Sequence, residues 1–254
     1  MTIRPVAGAE VIGAALTVAA GAAIVLIAAL VAERRRLPSS DAARAPGDEP
    51  QAAGVRPGVH RRGTHVALTA LAAVLAVAAI VSFSFPWWTD RYTQVRQIQL
   101  GRSLQTPAAA QRFRARSLEE GDSVTRLRIP RIGLDVVVVE GTTLSALRAG
   151  AGHYPSTPLP CASGNVGIAG HRTTYGRPFN RLDELQPGDR IELVTPVGRC
   201  TYTVVRAPFV VAPTDLWVVA PTASPSLTLT TCNPKGSARQ RLVVRAERDA
   251  AVAP

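Results

Sequence analysis

Two stretches near the start of the chain carry no charged residue: Val11 to Ala32, 22 residues, and Val66 to Trp88, 23 residues. A helix needs about 20 apolar residues to cross the hydrocarbon core of a bilayer. Each stretch therefore predicts a transmembrane helix, over 11–32 and 66–88. The second ends in Phe83, Phe85, Trp87 and Trp88, rings that favour the headgroup boundary. Residues 33–65 between them hold Arg34, Arg35, Arg36, Arg44, Arg56, Arg61 and Arg62 among repeated prolines and glycines, a composition that predicts a disordered loop. Only Arg4 precedes the first stretch, so the positive-inside bias puts the loop in the cytoplasm. Residues 1–10 and everything after Trp88 are then extracytoplasmic. A cleaved signal peptide and two buried core helices are the competing readings. The weakly charged flank (Arg4 against Glu10) opposes the first, and two long uncharged Ala/Val/Leu stretches oppose the second.

The pattern changes after the second stretch. Residues 89–121 read as a polar, arginine-rich connector with a short helix at 97–104. From Gly121 onward, short β-branched runs follow at 127–129, 134–139, 166–169, 190–194, 201–205, 226–231 and 242–246. Turn residues such as Gly141, Pro155, Pro158, Pro187-Gly188-Asp189, Pro196 and Gly198 lie between them. Strands at such intervals predict an all-β sandwich or barrel over about 122–248, with single helical turns at 143–147 and 214–218 and a tail at 249–254.

Composition refines this picture. A hydrophobic fraction of 46% excludes a disordered chain, but aromatics are only 5%, so Ala and Val carry much of the apolar content. Net charge is +11, and Lys235 is the only lysine among 29 basic residues. The part after Trp87 has 21 basic and 13 acidic residues, +8. No zinc-finger spacing or aromatic RNA-binding motif accompanies that charge, so nucleic acid is not an expected partner. An outside location favours anionic envelope polymers or lipid headgroups. The four histidines (60, 65, 153 and 171) do not pair at metal-ligand spacing, and no cofactor or metal is expected. His153, in the Gly152-His-Tyr-Pro155 turn, reads as a surface or hydrogen-bonded histidine.

The chemistry is concentrated near the end of the domain. In Ser226-Leu-Thr-Leu-Thr-Thr-Cys232, strand alternation puts Thr228, Thr230 and Cys232 on one face and Leu227 and Leu229 on the other. A loop containing Pro234 and Gly236 follows, and Arg241 opens the next strand. In an antiparallel hairpin Cys232 and Arg241 sit side by side, with Arg239 the other candidate and Arg245 roughly 13 Å farther along at ~3.4 Å per residue. A thiol must be deprotonated to be a good nucleophile, which neighbouring cations favour. A guanidinium stays charged and offers fixed donors for an oxyanion. Histidine suits protonation of a leaving amine and deprotonation of an incoming one. His171 follows the strand-like Gly164–Gly170 run, a rim position of the same kind as that of Cys232.

Ala169-Gly-His171, Leu227-Thr-Leu-Thr-Thr-Cys232 and Arg241 together resemble the His, TLxTC and Arg signature of sortases, envelope cysteine transpeptidases. Val137-Val-Val-Glu-Gly141, Gly152-His-Tyr-Pro155 and Gly170-His-Arg-Thr-Thr-Tyr-Gly-Arg-Pro-Phe179 are most similar to class E sortases of actinobacteria. The resemblance covers about residues 122–248. It implies an eight-stranded β-barrel, with Cys232 as nucleophile, His171 as general acid/base and Arg241 as oxyanion or substrate stabiliser. It further implies exported partner proteins bearing a C-terminal sorting motif (Leu-Ala-x-Thr-Gly or Leu-Pro-x-Thr-Gly-like). The second partner is an amine acceptor in a peptidoglycan precursor or a pilin. Thr231 and Tyr175 are further candidates for substrate contact. The family usually has a single N-terminal span, whereas two apolar stretches precede this domain.

Two cysteines remain. Pairing Cys161 with Cys200 leaves Cys232 free, as a nucleophile requires; two isolated thiols are the alternative, since spacing does not fix connectivity. Two other functional classes compete. L,D-transpeptidases also use a Cys–His pair, but carry Ser/His-Gly-Cys where this chain has Thr230-Thr231-Cys232. A non-catalytic, membrane-tethered barrel binding anionic polymers would make no use of the thiol.

Overall fold

The computed structural model describes residues 59–250. The N-terminus (1–10), the first predicted transmembrane helix (11–32), most of the 33–65 loop and the last residues of the tail lie outside the described residues. Val59–Leu104 form one 46-residue helix, α1. The predicted span at 66–88 falls within it, and so do residues 59–65, expected in the loop. The short helix expected at 97–104 is its final two turns. No glycine interrupts the chain from Thr64 to Leu100, and Gln, Arg and Leu in the last turns sustain helix propensity. Among the described residues one helix, Leu68–Leu104, is long and apolar enough to cross a membrane by length and composition.

The chain divides into two compact units, one ending at Phe85 and the other beginning at Pro86. In the first, the helix exposes Leu68, Leu71, Leu75, Ile80 and Phe83. In the second, Thr89, Thr93, Leu100 and Leu104 are buried, a spacing of four, seven and four that lines one helix face. Leu100 and Leu104 form a small core with Val137, Val139, Ala146 and Ala149. Gln97 binds the barrel edge through its amide: Val137 N–H donates to its Oε1 (2.6 Å), and its Nε2 donates to Val137 O (3.0 Å) and Ala149 O (2.8 Å). Helix α2 (Pro107–Ala115) begins on a Thr106 cap that accepts from Ala109 N–H, with proline in its first turn, the arrangement expected of a helix start.

The rest is a closed sheet. Its strands are β1 (Ser123–Ile129), β2 (Leu134–Glu140), β3 (Ala151–His153), β4 (Asn165–Ala169), β5 (Arg190–Thr195), β6 (Gly198–Val204), β7 (Phe209–Val211), β8 (Ser226–Asn233) and β9 (Gln240–Arg248). The order is β6-β5-β1-β2-β3-β4-β8-β9-β7, and β6 also pairs with β9. β6 and β7 lie in succession along one edge of β9: residues 202–204 pair with 246–248, and 209–211 with 241–243. Counted as one interrupted strand they give the eight-stranded barrel of the expected fold. Helix α3 (Leu144–Ala149), capped by Thr143, covers β2 where a helical turn was expected. The second expected turn is the 3-10 segment Leu216–Val219.

The barrel interior holds Leu127, Ile168, Phe179, Ile191, Leu227, Leu229 and Val244, all fully buried. Val136–Val139 of β2 form an unbroken apolar run because both faces of that stretch are covered. Val136 and Val138 face the main core, while Val137 and Val139 face α1 and α3, as in any strand buried on two sides. Cys161 and Cys200 form a disulfide that ties the β3–β4 loop to β6, and Cys232 is the free cysteine. His153 is buried rather than at the surface. Its Nδ1 faces Glu140 Oε2 (2.8 Å) and its Nε2 lies 3.0 Å from Pro158 O.

Candidate active site

β4 and β8 are parallel neighbours, with Ala169 opposite Thr230, and Gly170 N–H donates to Thr230 O (3.1 Å). Two residues past that pair come His171, beyond the end of β4, and Cys232, within β8. β8 and β9 are antiparallel, and Cys232 is opposite Arg241. The hairpin pairing therefore matches the expected register, with Arg239 left in the loop. Cys232 and Arg241 are paired neighbours on β8 and β9, and His171 follows two residues beyond the end of β4, so the three form a row along one rim of the barrel.

Parity sets the face. Leu227 and Leu229 enter the core, so Thr228, Thr230 and Cys232 lie on the outer side of the barrel wall. That outer side is roofed over. Tyr154 Oη bonds Thr230 Oγ1 (2.9 Å), and Thr228 Oγ1 donates to Asn165 Oδ1 (2.7 Å) and Val218 O (3.1 Å). A Cβ at Gly167 would strike Tyr154 Cδ2 at 2.8 Å, so glycine lets this roof close onto β4. Beyond the roof the row opens: His171, Cys232 and Arg241 are all partly exposed.

The imidazole of His171 makes no hydrogen bond within the described residues, and its Nε2 is buried without a partner. Its ring contact is Tyr175, centroids 5.3 Å apart and planes tilted by 33°. Burial, reinforced by the Arg148 guanidinium, lowers the His171 pKa below the ordinary value of 6.5. Arg241 uses one nitrogen, Nη1, to hold its own loop through Ala238 O (3.0 Å) and Gln240 O (3.1 Å). Among the described residues its Nη2 and Nε donors have no such bonds.

Thr231, the neighbour of Cys232, lies on the opposite face of β8. It shares parity with Leu229, is buried, and its hydroxyl donates to Gly170 O (2.7 Å). It fastens the exit of β4 to β8 and does not face the row. Sequence reasoning also passed over Arg172. This buried guanidinium donates from Nη1 to Cys232 O (3.3 Å) and Asn233 Oδ1 (2.6 Å), while Nη2 pairs with Asp183 (3.2 Å). Its signals were adjacency to His171 and its place in the Gly170–Phe179 string. Gly170 is held tight as well: a Cβ there would meet the Phe179 ring at 2.7 Å.

Two surface cavities of about 350 and 360 Å³ lie elsewhere, one beside Phe113 and Cys161, the other beside Gln97 and Arg126. Among the described residues no cluster of three or more His, Cys, Asp or Glu is placed to hold a metal. The arrangement offers a nucleophile between a proton carrier and a cationic donor, the parts needed for acyl transfer.

The sortase-domain family model matches residues 127–249. Over 173 residues the chain is 31% identical to sortase SrtE1 of Streptomyces coelicolor, covering 62% of this chain and 49% of that protein. It is 32% identical over 133 residues to sortase D of Bacillus subtilis, covering 51% of this chain and 66% of that one. The fold is similar to that of the sortase D5 transpeptidase of Clostridium perfringens, with a TM-score of 0.55 and 26% identity over 63% of this chain and 99% of the other. The chain thus spans about half of the first curated relative it matches and 66% of the second.

Proposed function

Because the chain belongs to the sortase family of cysteine transpeptidases, we propose that it cleaves a C-terminal sorting motif between Thr and Gly and joins the exported protein to an amine. The motif is Leu-Ala-x-Thr-Gly or a close variant. The amine belongs to a peptidoglycan precursor or a pilin lysine. Helix α1 anchors the catalytic domain on the outer side of the membrane, as the arginine bias of the 33–65 segment requires.

The row of His171, Cys232 and Arg241 carries this reading. Sγ of Cys232 attacks the Thr carbonyl carbon, and charge collects on the carbonyl oxygen, to which Arg241 donates from its uncommitted nitrogens. The thiol proton passes to His171 as sulfur attacks, the C–N bond to Gly breaks, His171 delivers that proton to the departing amine, and a thioester remains on Cys232. An acceptor amine then attacks the thioester, His171 takes its proton, and the sulfur leaves. Dividing one hard exchange into two acyl transfers is what a covalent nucleophile provides.

The test is a transpeptidation assay with the full-length protein, a Leu-Ala-x-Thr-Gly peptide and a panel of amines. The expected result is a peptide–amine product that vanishes in Cys232→Ala. Product formation at the wild-type rate by Cys232→Ala would reject the reading.

A further inference from the structure

A catalytic base is ordinarily held in orientation by a third group, yet among the described residues the imidazole of His171 has no hydrogen bond to hold it. Its orientation rests on packing, and the ring it packs on is that of Tyr175. Tyr175 stands in an unfavourable stretch of backbone. Tyr175, Gly176 and Arg177 all have positive φ, at 51°, 74° and 48°, and two of the three are not glycine. Such conformations persist only where the surroundings enforce them.

The enforcing contacts come from α1. Asp90 Oδ1 accepts from Gly176 N–H (2.9 Å), and Asp90 Oδ2 pairs with Arg177 Nη2 (2.8 Å). One turn on, Thr93 lies under the same loop: a Cβ at Gly176 would meet Thr93 Cγ2 at 3.0 Å. Thr93 Oγ1 also donates to Arg148 O (3.0 Å), and the Arg148 guanidinium sits 5.6 Å from the centre of the Tyr175 ring. Asp90, Thr93 and Gln97 follow at helical spacing, so one face of α1 grips the loop, Arg148 and the barrel edge together.

We propose that Asp90, through Gly176 and Arg177, is a positioning residue that keeps Tyr175 against the His171 ring, making the barrel-side end of α1 a part of the catalytic apparatus as well as an anchor. This rests on the reading of His171 as the acid/base. A carboxylate suits both tasks at position 90, accepting from a backbone N–H and pairing with a cation.

The experiment uses the full-length chain in detergent, with turnover of the sorting peptide and the His171 imidazole resonances as readouts, the latter identified by His171→Gln. Asp90→Ala is expected to lower kcat by about 10- to 100-fold, the scale of a misplaced catalytic group, with KM changed far less, and to shift the His171 ring signals. Asp90→Asn, which keeps an acceptor for Gly176 N–H, should fall between Asp90→Ala and the wild type. Tyr175→Asn tolerates the left-handed backbone but lacks the ring, and should reproduce both effects. Tyr175→Phe restores the ring and should recover most of the loss. The Tyr175 pair carries the test by itself if Asp90→Ala fails to fold. Wild-type kcat and unmoved His171 signals in Asp90→Ala would overturn the proposal, as would equal losses in Tyr175→Asn and Tyr175→Phe. A wild-type protein that makes no product would reject the transpeptidase reading, while the resonances would still decide the positioning role.

Discussion

The pKa of His171 is lowered from 6.5, first by burial and second by Arg148, so the imidazole is predominantly neutral at neutral pH. Its titration midpoint, followed by NMR, is expected below 6.5. Arg148→Gln should raise that midpoint only part of the way, because burial is the larger cause. The same shift has a stability consequence. The unfolded chain takes up the proton more readily than the folded one, so this contribution is present above pH 6.5 and is lost as pH falls through the folded pKa. Denaturation midpoints of His171→Gln should therefore fall less on acidification than those of the wild type. Arg172 acts at the same scale by another route. Arg172→Ala leaves Cys232 O and Asn233 without their charged donor and should cost about 1–3 kcal/mol of stability, read as a lower denaturation midpoint. It should also slow Cys232 chemistry, because the end of β8 loses its fastening. The placement of Cys232 opposite Arg241, with His171 just beyond the neighbouring strand, was legible because each stands in a recognisable string at or near a strand end. Arg172 and Asp90 were not, because a lone arginine and a lone aspartate in polar segments look like solvated charges until partners appear 60 and 86 residues away.

Alternation exposed the longer strands. β8 and β9 were read with their hairpin register intact, because a buried leucine face admits only one parity. The strands that escaped, β3 and β7, are three residues each, too short to show a period. The continuity of α1 from the predicted span to the short helix at 97–104 escaped for a different reason. Its docking face is Thr89, Thr93 and Gln97 before it becomes Leu100 and Leu104, and a polar stripe gives no amphipathic signal. The cysteine pairing remained open in sequence and is closed in the fold, where Cys161 and Cys200, 39 residues apart, link a loop to β6. Closing a loop of that length contributes roughly 3–4 kcal/mol by limiting the unfolded chain. Cys161→Ser with Cys200→Ser should lower the urea midpoint accordingly, and the alkylation rate of Cys232 should stay within about twofold, since surface changes away from a site seldom disturb it.

At the scale of the molecule, the strand order brings the chemistry together. His171 and Cys232 are 61 residues apart in sequence, yet parallel pairing of β4 with β8 ends both strands on the same rim, and β9 returns Arg241 to that rim from the other side. An open sheet with the same strands and another order would scatter them. The β-rich class and the order of the motifs were legible from the chain, but closure through β6 and β9 was not, since it is a non-local pairing that no short window records.

The central claim is that Cys232 forms a covalent acyl intermediate on this rim. Full-length protein incubated with a Leu-Ala-x-Thr-Gly peptide in the absence of amine, quenched in acid and analysed by intact and peptide mass spectrometry, tests it directly. The account predicts a mass gain equal to the peptide up to its threonine, located on Cys232 and discharged when an amine is added. Cleavage of the peptide with Cys232 unmodified, or an adduct located on another residue, would contradict it.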